Sequence, residues 1–100
     1  MAAQSMTLVR LYLHEGGHQL QKVMTFLEKE AKVPGAIAIR GSQGFGFGAT
    51  AHSASLLALS LDLPEVVEFY EDSSRVEAIV AQLRASVAVP YVLAIEAKTL

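Results

Sequence analysis

Two helical stripes, each set between runs of strand-type alternation, do most to limit what this chain can fold into. From His18 to Lys32 the apolar residues Leu20, Val23, Met24, Leu27 and Ala31 recur at spacings of 3, 1, 3 and 4. That is one face of an α-helix. Gln21, Lys22, Glu28 and Lys29 fall mostly off that face, and Pro34-Gly35 ends the helix. The second stripe is Val76, Ile79, Val80, Leu83 and Val87, closed by Pro90. Ser73 or Ser74 is the expected cap, with Glu77 three residues after Ser74 as in a capping box. Around the helices, Thr7 to Leu13 sets Leu8, Arg10 and Tyr12 against Val9, Leu11 and Leu13, a strand with few charges and so a central one. Gly35 to Arg40 is a second strand, with Ile37 and Ile39 on one face. Pro64 to Tyr70 is a third, with Val67 and Phe69 opposite Val66, Glu68 and Tyr70, and Tyr91 to Ala97 is the last. His14 to Gly17 reads as a loop, because Gly16-Gly17 breaks the pattern. Ser53 to Leu61 reads as a loop arm running into a strand, or as a short helical turn.

The order β-α-β-β-α-β is the ferredoxin-like split motif of the α+β class. It predicts a four-stranded antiparallel sheet with both helices on one face and a long loop between strands two and three. The opposite face, expected to carry Ala36, Ala38, Val66 and Tyr70, is left uncovered, and its low charge predicts packing on a partner subunit. One hundred residues give a single domain, 1–100, with 1–6 as a flexible N-terminal tail. Hydrophobic residues make up 52% of the chain and charged ones 18%, more apolar surface than a small domain hides alone. The net charge of −2 with no basic patch argues against nucleic acid. The absence of cysteine excludes disulfides, thiolate metal sites and cysteine nucleophiles. No run approaches the ~20 apolar residues of a membrane span, and Met1 to Met6 lacks the basic start and apolar core of a signal peptide. The expectation is a cytoplasmic protein.

Residues 40–48, Arg-Gly-Ser-Gln-Gly-Phe-Gly-Phe-Gly, hold four of the seven glycines. Glycine lets other groups approach the backbone, and successive N–H groups can form an anion-binding nest. From Gly41 to Pro64, however, the only formally charged residue is Asp62. The stretch is not a P-loop, which would end in Gly-Lys-Ser/Thr, nor a dinucleotide fingerprint, since no helix clearly follows. A hairpin arm with glycine bulges is the plain alternative. It also faintly resembles the acylphosphatase signature, but that loop follows the first strand and ends in arginine, whereas this one follows the second and ends Phe47-Gly48.

His14-Glu15-Gly16-Gly17-His18 spells the zinc-protease pattern, but that chemistry needs both histidines one turn apart on a helix. A looser metal site would use His14, His18 and His52; the plain reading is three solvent-facing histidines. Ser53 and Ser55 flank His52, yet no Ser-His-acid set is legible, and no enzyme is expected. Glu15, Glu28, Glu30 and Glu71 read as solvated carboxylates.

Taken together, Leu8 to Leu13, Arg40 to Gly46, His52-Ser53-Ala54-Ser55, Leu59-Ser60-Leu61-Asp62-Leu63-Pro64 and Val66-Val67-Glu68 resemble the PII-like signalling proteins. The closest resemblance is to the uncharacterised family called domain of unknown function 190, over about residues 7 to 97. The resemblance implies a homotrimer of ferredoxin-like subunits. The segment between strands two and three would be a T-loop, and small ligands, commonly adenine nucleotides, would bind in clefts between subunits near its base. Loop rearrangement would control a partner such as a membrane transporter or a metabolic enzyme. Carried across, Arg40, Gly41, Gly44, Phe45 and Gly46 sit at the loop base. Residues 47–57 form the mobile arm, within a ligand-binding loop of about 41–58 that includes His52 and Ser53. Arg40 would supply charge and the glycines backbone donors. Phe45 would pack on a base, on a neighbouring subunit or in the core. Arg10 and Lys98, the other basic candidates, are placed on outer strands or the tail. With so few cations, AMP, ADP or a small anion such as bicarbonate is easier to accommodate than ATP. The rival readings are a metal-binding trimer of the CutA kind and a ligand-free structural adaptor that docks through Leu56 to Leu61.

Overall fold

A computed structural model describes residues 4–46, 49–53, 63–89 and 91–100. Strand β1 (Gln4–His14) is followed by a 3₁₀ turn at Glu15–Gly17 and by helix α1 (Leu20–Thr25), which continues into a π-helical turn, Phe26–Glu30. Strands β2 (Gly35–Arg40), β3 (Gln43–Gly46), β4 (Ala49–Ser53) and β5 (Pro64–Asp72) come next, then helix α2 (Ser73–Ser86) and strand β6 (Tyr91–Thr99). The main sheet has the order β2-β5-β1-β6, all antiparallel, and β3 and β4 form a separate two-stranded hairpin. This is the expected ferredoxin-like α+β arrangement, with β1 central. The segment between the second and third strands of the main sheet carries a hairpin; the expected arm beyond Ser53, to Leu61, lies outside the described residues.

Helix coverage decides burial. Val9, Leu11 and Leu13 of β1 and Val67 and Phe69 of β5 are buried against Val23, Phe26 and Leu27 from the first helix and Val76, Ile79 and Leu83 from α2. The π turn brings Phe26, Leu27 and Ala31 inward together, with Ala31 N–H bonded to Phe26 O at 2.9 Å. Phe26, absent from the expected stripe, therefore belongs to the core. Lys32 closes the helix in the left-handed region at φ 53°, and Val33 N–H returns to Leu27 O at 3.1 Å, so the last carbonyls are satisfied before Pro34.

The faces of β2 are the reverse of the expectation. Ala36 and Ala38 pair with Phe69 and Val67, on the helix side, whereas Ile37 and Ile39 pair with Glu68 and Val66, on the open side. Three rows cross the open face of all four strands: Gly35-Tyr70-Leu8-Ile95, Ile37-Glu68-Arg10-Leu93 and Ile39-Val66-Tyr12-Tyr91. Ile37, Ile39, Tyr70, Tyr91, Leu93 and Ile95 are all exposed there. Arg10 sits in the centre of the sheet rather than on an outer strand, with Nη2 2.6 Å and Nε 2.8 Å from Glu68 Oε1.

Other local expectations are corrected by the structure. β1 begins at Gln4, so residues 4–6 belong to a strand rather than a flexible tail, and Met6 is buried. The cap of α2 is Asp72, which accepts from Ser74 N–H at 2.9 Å and Ser74 Oγ–H at 2.6 Å; Ser73 Oγ is instead 2.7 Å from Thr7 Oγ1. Glu71 is not solvated but 5% exposed. It continues the inward parity of Val67 and Phe69, accepts from Arg75 Nη1 at 2.6 Å and from Asp72 N–H at 2.8 Å, and Arg75 Nη2 donates to Ala31 O at 2.8 Å. One arginine thus joins β5, α2 and the end of the first helix.

Two predictions follow from this packing. Leu83→Ala empties a fully buried position and is expected to cost about 2–5 kcal/mol in denaturant unfolding. The Ser74 hydroxyl and amide hold the Asp72 carboxyl below its ordinary range. A depressed folded pKa means that the cap contributes above the unfolded value and is lost as pH falls through the folded one. The melting temperatures of the wild type and Asp72→Ala should therefore differ at neutral pH and converge in acid.

Candidate functional site

The glycine-rich segment leaves the sheet at Arg40 and returns at Leu63-Pro64, and the two ends are bonded at its base. Gly41 N–H donates to Pro64 O at 2.8 Å, and Glu15 N–H donates to Leu63 O at 2.9 Å. Glycine is required at two positions by packing: a Cβ on either Gly41 or Gly44 would lie 2.8 Å from Pro64 Cγ. Gly46 is required by conformation, at φ +87°, a backbone shape that side chains disfavour. The register of the β3–β4 ladder shifts between Gly44 and Gly46, a bulge that twists the hairpin.

Several sequence-selected residues meet on this stem. Gly44 pairs with His52 and Gln43 with Ser53 across the ladder. Phe45 is 76% exposed, so its ring is not part of this protomer's core. The amide of Gly41 is committed to Pro64 and is not turned towards a ligand.

Arg40 borders a cleft of about 390 Å³ lined by Glu15, Leu20, Ala38, Ile39, Arg40 and Glu65. Its side chain is 60% exposed and paired through Nε with Glu15 Oε1. Glu65 lies across the ladder from Arg40. Two glutamates and one arginine therefore line the cleft, and a multiply charged anion would need further cations from outside this protomer. Sequence reasoning missed both glutamates. Glu15 read as a solvated turn residue, and its pairing with Arg40 closes a distance of 25 residues that local periodicity does not report.

The histidine pattern does not form a zinc-protease helix. Glu15–Gly17 is a 3₁₀ turn, and His18 follows in the left-handed region at φ 53°. Among the described residues no three His, Asp or Glu side chains gather around one point, and His52's side chain is outside them.

Gly44→Ala and Gly41→Ala should each destabilise by about 1–3 kcal/mol, the range for overpacking. Pro64→Ala should recover most of the Gly44→Ala loss. It should recover less for Gly41→Ala, because a Cβ there also stands 3.3 Å from the Pro64 carbonyl. Double-mutant unfolding curves check this difference.

The glycine-bearing stretch, the Pro64 turn and the two flanking strands all lie within the span, residues 6–98, matched by the model of DUF190, described as an uncharacterized ACR family. The chain belongs to the DUF190 family.

Proposed function

We propose that this protein is a PII-like regulatory protein of the cytoplasm that acts without catalysis. It senses a small anionic metabolite, an adenine nucleotide first and bicarbonate as the simpler alternative. The site is a cleft shared between subunits of a homotrimer at the base of the 41–58 loop. Occupancy is read out by the glycine-rich arm, which engages a partner protein such as a transporter or a metabolic enzyme.

The observation that carries this reading is the construction of the arm base. A hairpin held by Gly41 and Gly44 against Pro64 stands beside the cleft that Arg40 borders. A ligand contacting Arg40 there can bias the geometry of the whole hairpin, which is the structural requirement of a ligand-driven loop switch. The shortage of cations in that cleft favours a shared site, because a neighbouring copy supplies what one protomer lacks. The apolar rows on the open sheet face favour association, since an exposed patch of this kind marks an interaction surface. Phe45, exposed on the hairpin, is placed to stack on a base or on a neighbour.

Sedimentation should give three times the protomer mass. A nucleotide at ~100 times its dissociation constant adds about 2.7 kcal/mol, which for a domain of this size is a rise of ~10 °C or more in melting temperature. Arg40→Ala should abolish that rise while remaining trimeric. A shift with divalent metal alone would instead select His14, His18 and His52 and the CutA-like reading. Indifference to every nucleotide, bicarbonate and metal would select the adaptor.

A further inference from the structure

Arg40, the cation on which the sensing reading rests, is already occupied. Its Nε meets Glu15 Oε1, and that oxygen is buried without an aligned hydrogen bond. We infer that Glu15 is an affinity-setting residue that competes with the ligand anion for Arg40, and that this exchange loosens the backbone bonds at the base of the hairpin, at Gly41 and Leu63. The inference deepens the sensing reading and rests on it.

The geometry makes one residue report on both ends of the arm. Through its side chain Glu15 holds Arg40, the last residue of β2, immediately before Gly41. Through its backbone it is tied to the return of the arm, Glu15 N–H to Leu63 O at 2.9 Å. An anion with several oxygens offers Arg40 the paired acceptors that suit a guanidinium fork, which a single unaligned carboxylate oxygen does not. When Arg40 turns to that anion, Glu15 Oε1 loses its counter-charge. A buried carboxylate oxygen without a partner is costly, so the 3₁₀ turn carrying Glu15 moves to hydrate it and disturbs the Leu63 bond.

The test compares wild type with Glu15→Gln, which keeps shape and removes charge, each also in an Arg40→Gln background. Binding of ATP, ADP, AMP and inorganic phosphate is measured by calorimetry, and hydrogen exchange of the Gly41 amide is followed without ligand. Partly exposed ion pairs are weak, so changes of roughly two- to fivefold are expected. Glu15→Gln should bind the nucleotide more tightly by that factor, but not in the Arg40→Gln background; Arg40→Gln alone, which strands the Glu15 charge, should exchange Gly41 faster by a similar factor, and Glu15→Gln in that background should reverse it. Equal affinity in wild type and Glu15→Gln, or unchanged Gly41 exchange in Arg40→Gln, overturns the inference alone. So does a gain that persists without Arg40, since Glu15 would then act as a bystander charge. Failure of wild type to bind any of the four probes or bicarbonate overturns the sensing reading and ligand competition with it.

Discussion

Everything else in this molecule depends on a sheet that is apolar on both faces and covered by helices on only one. Strands β1 and β5 bury Val9, Leu11, Leu13, Val67 and Phe69 beneath the helices, while the rows on the reverse side set Leu8, Tyr12, Val66 and Tyr70 between the exposed isoleucines of β2 and the Tyr91, Leu93 and Ile95 of β6. Among the described residues no further element lies over the reverse face. Its apolar side chains suit burial against another chain, the association proposed above.

Charge is handled locally throughout. Arg10 is paired with Glu68 in the middle of the open face, Arg75 with Glu71 beneath the helices, and Arg40 with Glu15 at the arm base. These pairs play different parts. In Glu71–Arg75 the carboxylate is buried and the arginine half exposed, with the arginine also satisfying the Ala31 carbonyl, so removing Arg75 strands a buried carboxylate, the expensive case. Arg40–Glu15 is more open to water, where an ion pair is worth little.

The sequence made the central strands legible because each has a neighbour on both sides. Parity on β1 is checked by both helices and both flanking strands, so Val9, Leu11 and Leu13 point inward as their alternation says. Strand β2 is an edge in which all six residues are exposed. With no burial contrast along it, small and branched residues can be assigned to either face, and here they were reversed. Glu71 was legible in principle: it continues the inward series Val67, Phe69, and Arg75 stands four residues on, one helical turn away. A carboxylate at a strand end simply defaults to solvent in a reading by residue type. The α2 cap was obscured by competition, because Ser74 with Glu77 spells a capping box while Asp72 offers a carboxylate two residues earlier. The glycines mark the arm in the sequence, but the residue two of them pack against is not local. Pro64, twenty residues beyond Gly44, is what two of those glycines accommodate, and no local pattern announces that contact.

The Arg10–Glu68 pair bears on what can cover the open face. Both charges belong to the same protomer and both guanidinium donors reach one carboxylate oxygen, with Tyr12 and Glu68 together favouring the charged arginine. A covering chain therefore needs no opposite charge of its own; it meets a neutral pair framed by Ile37, Leu93, Leu8 and Tyr12. Covering the pair still removes it from water, and that desolvation is unfavourable beside an apolar pair of equal size. A chain that covered this face would have to enclose the pair without breaking it, because stranding either ion beneath an apolar layer is the more expensive outcome.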